Sequence, residues 1–181
     1  MPRMLKNSTH HYGAIAKVFH WLTAVVVVFQ CALGIWMVEL DYYDAWYTQA
    51  PHIHKSIGIL FALMLMIRLT WRFYSPAPLP LSHHSRLEKA AARATHWLIY
   101  ATLWVIIVSG YLISSADGRA IEVFSWFEVL AFGELIDQQE DIAGDIHEWI
   151  AYGLIVLVSL HALAALKHHF IDKDNTLKRM F

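Results

Sequence analysis

Apolar positions in this chain gather into four long blocks instead of alternating, and the blocks run approximately over 18–40, 53–71, 96–116 and 146–166. Each is near the ~20 residues that a helix needs to cross a hydrocarbon core. Three polar connections separate them: 41–52, the proline-bearing 72–95 (Pro76, Pro78, Pro80), and a long acidic stretch over 117–145. The pattern predicts an all-α membrane protein, a four-helix transmembrane bundle that forms a single domain over residues 1–181. Residues 120–133 (AIEVFSWFEVLAFG) are apolar but broken by Glu122 and Glu128. They are too short and too charged for a fifth span, and they predict an amphipathic helix lying on the interface.

Composition agrees with the blocks. The chain is 57% hydrophobic and only 16% charged, against about 25% charged in an ordinary soluble domain. The polar, basic start has no apolar core leading to a small-residue cleavage site, so the first block is expected to be a retained span. Cys31 is the only cysteine. That excludes an intramolecular disulfide, an iron–sulfur cluster on the chain's own thiols, and covalent C-x-x-C-H haem attachment. Cys31 itself is expected to be a small packing residue.

Charge orients the blocks. Residues 1–17, 68–93 and 167–181 together carry 12 of the 14 Lys/Arg, including Arg3, but only 3 of the 15 acids. Lys and Arg concentrate in cytoplasmic loops, so both termini are expected inside, with lipid around the bundle. The basic residues follow the membrane edge and form no groove for nucleic acid. No glycine-rich nucleotide motif is present, which argues against direct oxidation of a nicotinamide cofactor.

Four histidines stand near block ends: His20, His54, His147 and His161. His147 and His161 are 14 residues apart on one block, about four helical turns, so both rings leave one face roughly 21 Å apart. With the termini inside, depth pairs His20 with His161 near the inner side and His54 with His147 near the outer side. Two axial imidazoles close the coordination of a haem iron and suit electron transfer over oxygen binding. A proton path or a metal path built from the same residues remains the competing reading.

The pieces FHWLTA, HIHKSIGIL…RLTWR, HEW, SLHALAALKHHF and IDKDNTLKRM resemble the bacterial cytochrome b561 family over almost the whole chain. The resemblance implies two non-covalent b haems held by the four histidines in the pairing above. It also implies exchange with ubiquinone and a quinone-site role for His168. The family includes a superoxide oxidase that passes electrons from superoxide to ubiquinone. It is similar as well to cytochrome b subunits that anchor hydrogenases and other dehydrogenases to the membrane.

Other residues are candidates for propionate or quinone contacts. His96 opens the third block level with the inner pair, either as such a contact or as a cap of the helix start. Arg68 and Arg72 are one turn apart and share a face; headgroup snorkelling is their alternative role. Lys17 offers a further inner cation, and Lys55 an outer one beside His54. His168 stands two turns beyond His161, although Lys167-His168-His169 also reads as an ordinary positive flank. The outer connections are strongly acidic, so steering of an anion such as superoxide is opposed, with only Lys55 and Arg119 to counter it. A cationic periplasmic protein or an uncharged small molecule suits that face better as electron donor. No catalytic residue is identifiable.

Overall fold

The computed structural model describes residues 5–181, so Arg3 lies outside the described residues. Four helices dominate: α1 (Ala14–Met37), α2 (Gln49–Tyr74), α3 (Arg86–Ser115) and α4 (Gln139–Phe170). All four are long and apolar enough to cross a membrane, with mean hydropathy between 1.6 and 2.1 over their most apolar windows. The chain is a four-helix transmembrane bundle.

The helices outrun the apolar blocks where polar chemistry starts them. Ser85 caps α3 through a reciprocal pair of hydrogen bonds: its hydroxyl accepts from the Glu88 N–H (3.2 Å), and the Glu88 carboxylate accepts from the Ser85 N–H (2.8 Å). That capping box sets the helix start ten residues before the apolar block. His96 is therefore an interior residue of α3, and its expected role as a cap is corrected. α4 begins at Gln139, whose buried side chain donates to Leu112 O (2.9 Å) and accepts from the Leu135 N–H (2.8 Å). Glu140 and Asp141 in its first turn suit the positive end of the helix dipole.

α1 packs along α2 and α3 along α4, while the two hairpins meet chiefly through α2 and α3. Val27, Phe61, Leu65, Tyr100, Leu103 and Leu154 form the buried core, with Cys31 and Trp104 packed against it. Leu154 lies seven residues from both His147 and His161, so this apolar layer sits between two levels of histidine. Val25, Val28, Leu63, Val108, Val156 and Leu160 are exposed on the outside of the helices, as a lipid-facing surface requires.

One end of the bundle gathers the N-terminal segment, the α2–α3 connection and the C-terminal tail. Asn7 Nδ2 donates to Ser75 O (2.8 Å), and Arg179 donates to His10 O and Leu79 O (both 3.0 Å). We call this the terminal end.

The segment expected to be an amphipathic helix is a β-hairpin, and this corrects the sequence reading. β1 (Ile121–Val123) pairs antiparallel with β2 (Phe127–Val129). Phe124 and Ser125 both take positive φ (47° and 58°), and the Trp126 N–H closes the turn on Val123 O. Alternation decides the outcome: Ile121 and Val123 bury inward while Glu122 stays exposed. Ser56, fully buried on α2, accepts from the Phe124 N–H (3.2 Å) and pins the turn to the bundle.

Candidate functional site: two facing histidine pairs

The helices bring the four histidines together in two pairs. His20 on α1 faces His161 on α4 with ring centroids 6.4 Å apart and planes at 64°. His54 on α2 faces His147 on α4 at 6.2 Å and 72°. An imidazole–metal bond runs about 2.0–2.1 Å and a ring nitrogen sits about 1.1 Å from its centroid, so one metal between two rings sets them roughly 6.3 Å apart. Both pairs match that spacing. A direct His–His hydrogen bond is not what holds either pair.

The pair away from the terminal end is tightly cradled. His147 Nδ1 lies 3.0 Å from Ile106 O and 3.2 Å from Ser109 Oγ. Donation from Nδ1 to the carbonyl fixes the tautomer with a free lone pair on Nε2, the atom that would face a metal. His54 Nδ1 is buried with no hydrogen-bond partner, while the His54 carbonyl accepts from Gln30 Nε2 at 2.9 Å. A glycine backs each ring. A Cβ on Gly110 would stand 3.1 Å from His147 Cε1, and one on Gly34 would stand 3.3 Å from His54 Cε1. These close approaches explain why both helices carry glycine there. Imidazole pairs at metal spacing, a fixed tautomer, an orphaned ring nitrogen and two glycine contacts fit a bis-histidine haem.

The His20–His161 pair has a different border. His96 meets His161 edge-on at 5.3 Å, and Trp21 meets His20 at 5.3 Å. Arg68 and Arg72 both lie over the Tyr100 ring, at 5.5 and 5.4 Å, and Arg72 also lies over Trp97 at 5.4 Å. Arg68 is half-buried.

Residues 11–181 match the family model for prokaryotic cytochrome b561. The chain belongs to that family. Cytochrome b561 homolog 2 of Escherichia coli (strain K12) is 52% identical over 174 residues, covering 96% of this chain and 93% of that protein. A protein of Yersinia pestis named probable superoxide oxidase CybB is 29% identical over 93% of this chain and 94% of its own. Cytochrome b561 homolog 1 of E. coli is 27% identical over 89% and 91%. Membership makes this cytochrome b561 a membrane electron-transfer protein with b-type haem.

The remaining candidates are distributed around that frame. Lys17 Nζ donates to the Phe181 oxygen, and Trp21 Nε1 donates to Met180 O at 2.8 Å. Lys17 is thus committed to the tail, which covers the helix face beside His20. Lys55 is exposed and lines a cavity of about 250 Å³ with His52, Ser114, Asp117, Arg119 and Glu122. Arg119 pairs with Asp117 at 2.6 Å. Hydrogen bonds from the Arg119 backbone and guanidinium hold the Asp117 carboxyl below the usual carboxylate range. His168 leaves the bundle interior: its Nδ1 is 2.7 Å from Asp172, and its ring stacks on His84 at 4.6 Å.

The sequence reading missed Gly34, Gly110 and Ser109. Each acts on a histidine of another helix, so nothing in its own local pattern marked it.

Proposed function

We propose that this cytochrome b561 is a diheme electron carrier of the bacterial inner membrane that exchanges electrons with ubiquinone. The supporting observation is the pair of facing histidine couples, at two levels of one bundle and at matching centroid spacing. His20 and His161 hold one haem, and His54 and His147 hold the other. A haem held by two such imidazoles would supply a one-electron iron couple suited to electron transfer. The chain sets ligation through the four rings, fixes the His147 tautomer through Ile106 O, and places the apolar core layer between the two levels. The basic terminal end lies in the cytoplasm, with Arg68 and Arg72 available to haem propionates. His96, half-buried beside His161, is the best-placed group to contact a quinone headgroup there.

A second reading, oxidation of superoxide at the other end, draws on the Lys55 cavity and on the printed name of the Yersinia relative. Lys55 and Arg119 are countered there by Asp117 and Glu122, so the formal charge of the lining cancels and gives an anion no net pull.

The test is a pyridine-haem count per purified chain with a reduced-minus-oxidised spectrum. Two b haems per chain, reducible by ubiquinol, uphold the proposal. One haem, or none in folded protein expressed with adequate haem, overturns it. Rapid reduction by a superoxide-generating system would promote the second reading.

A further inference from the structure

A second group of donor side chains converges at the terminal end, apart from both histidine pairs. Asp174 in the tail is 8% exposed, and its Oδ2 lies 2.8 Å from His84 Nε2, 3.3 Å from His83 Nε2 and 3.6 Å from His168 Nδ1. A carboxylate oxygen offers about two lone-pair directions. His83 and His84 bring two imidazole nitrogens onto that one oxygen, and the three donor atoms lie within 4.8 Å of one another. Four donors around a tetrahedral cation with bonds of about 2.0–2.1 Å stand roughly 3.3–3.4 Å from one another. The His83 and His84 distances, 3.3 and 2.8 Å, approach that value from below, while His168 Nδ1 pairs with Asp172 at 2.7 Å and stands outside the group.

The backbone is bent to make the group. Adjacent residues of an extended chain point apart, yet the His83 and His84 rings stand 4.7 Å apart, in a turn closed by the His84 N–H on Leu81 O. Lys173 takes a positive φ of 54°, a costly conformation for a residue with a side chain. It turns the tail so that the Asp174 N–H bonds His168 O and the Asp174 carboxylate faces the histidines. Asp174 Oδ1 is occupied separately by the Thr176 N–H at 2.7 Å, which leaves Oδ2 for the cluster.

We propose that His83, His84 and Asp174 bind one divalent cation of the zinc class, with water as the fourth ligand. Two imidazoles and a carboxylate without thiolate are a donor set that zinc accepts with a water completing the tetrahedron. The cation joins the α2–α3 connection to the tail, segments 90 residues apart in sequence. The same tail supplies the Met180 carbonyl to Trp21, next to His20, so the cation fastens the strap over one histidine pair. The proposal does not depend on the haem count.

The experiment uses the full-length, haem-loaded protein, stripped with chelator, equilibrated with Zn²⁺ alone, desalted and assayed for bound metal. One zinc per chain is expected in the wild type. The double variant His84→Ala/Asp174→Asn should lose that zinc while keeping the wild-type haem spectrum. Wild type that retains no zinc, or a double variant that retains as much, overturns the proposal. X-ray absorption at the zinc edge of the wild type decides the matter even if the variant does not fold. A four-coordinate shell that includes imidazole upholds the site, and a shell of water and carboxylate oxygens alone sinks it.

Discussion

The two histidine pairs share one spacing and differ in almost everything around it. His54 and His147 are held by close neighbours on adjacent helices: the Ile106 carbonyl and the Ser109 hydroxyl on His147 Nδ1, and a glycine against each ring. His20 and His161 are bordered by His96, Trp21 and two arginines lying over Tyr100. The first pair is positioned by close approach of neighbouring helices, which makes it sensitive to volume. The second is surrounded by charge and aromatic faces, which makes it sensitive to electrostatics. One bundle thus offers two matched imidazole pairs with separate means of adjustment.

The largest expected effects remove a ligand. His54→Ala or His147→Ala should lower the haem count from two to one per chain and abolish one spectral component. His20→Ala or His161→Ala should abolish the other. Retention of both haems in any of these variants breaks the pairing. Next comes Gly110→Ala, whose new methyl would stand 3.1 Å from His147 Cε1. It should displace that ring and depopulate the haem between His54 and His147, while the His20–His161 component is unchanged. If Gly110→Ala binds both haems normally, the cradle has no role in ligation.

A smaller effect follows from Ser109→Ala, which deletes one of two polar contacts to His147 Nδ1. Loss of a group that orients a metal-bound histidine costs about 10–100-fold in affinity, and the retained Ile106 carbonyl argues for the lower end. Haem release measured against a haem-scavenging apoprotein reads it. Arg68→Leu should lower the midpoint potential of the His20–His161 haem alone, because a nearby positive charge favours the reduced form. The shift is on the order of tens of millivolts, and a redox titration shows whether it is confined to one haem. Smallest is Ser56→Ala, which unpins the hairpin turn at a cost of about 1 kcal/mol, seen in thermal unfolding with both haems retained.

Much of this was legible along the chain, because a helix converts spacing into direction. The 14 residues between His147 and His161 gave one face and two depths, and the helices place partners at both. The charge asymmetry foreshadowed which segments meet, and Asn7, Ser75, Leu79 and Arg179 do come together. Start signals were present but unused: Ser85-x-x-Glu88 marks where α3 begins, and its apolar block hid it. The hairpin was harder. Phe124 and Ser125 take positive φ without the Asn or Gly that usually announces such a turn, and the burial of Ile121 and Val123 with the contact to Ser56 holds the turn against the bundle. The glycines were silent for a deeper reason. Their function is the room left for a side chain on another helix, and no local pattern encodes that.

That α4 carries one histidine from each pair has a further consequence. An α-helix tilts in a thinner or thicker bilayer but does not stretch. His147 and His161 therefore act as marks on a gauge bar, and the interval between the two histidine levels is independent of the lipids around it. The same rigidity sets a strict grammar for the helix. One residue inserted between the marks would rotate one ring by about 100° relative to the other, enough to turn that imidazole away from its partner although every side chain that touches it is still present.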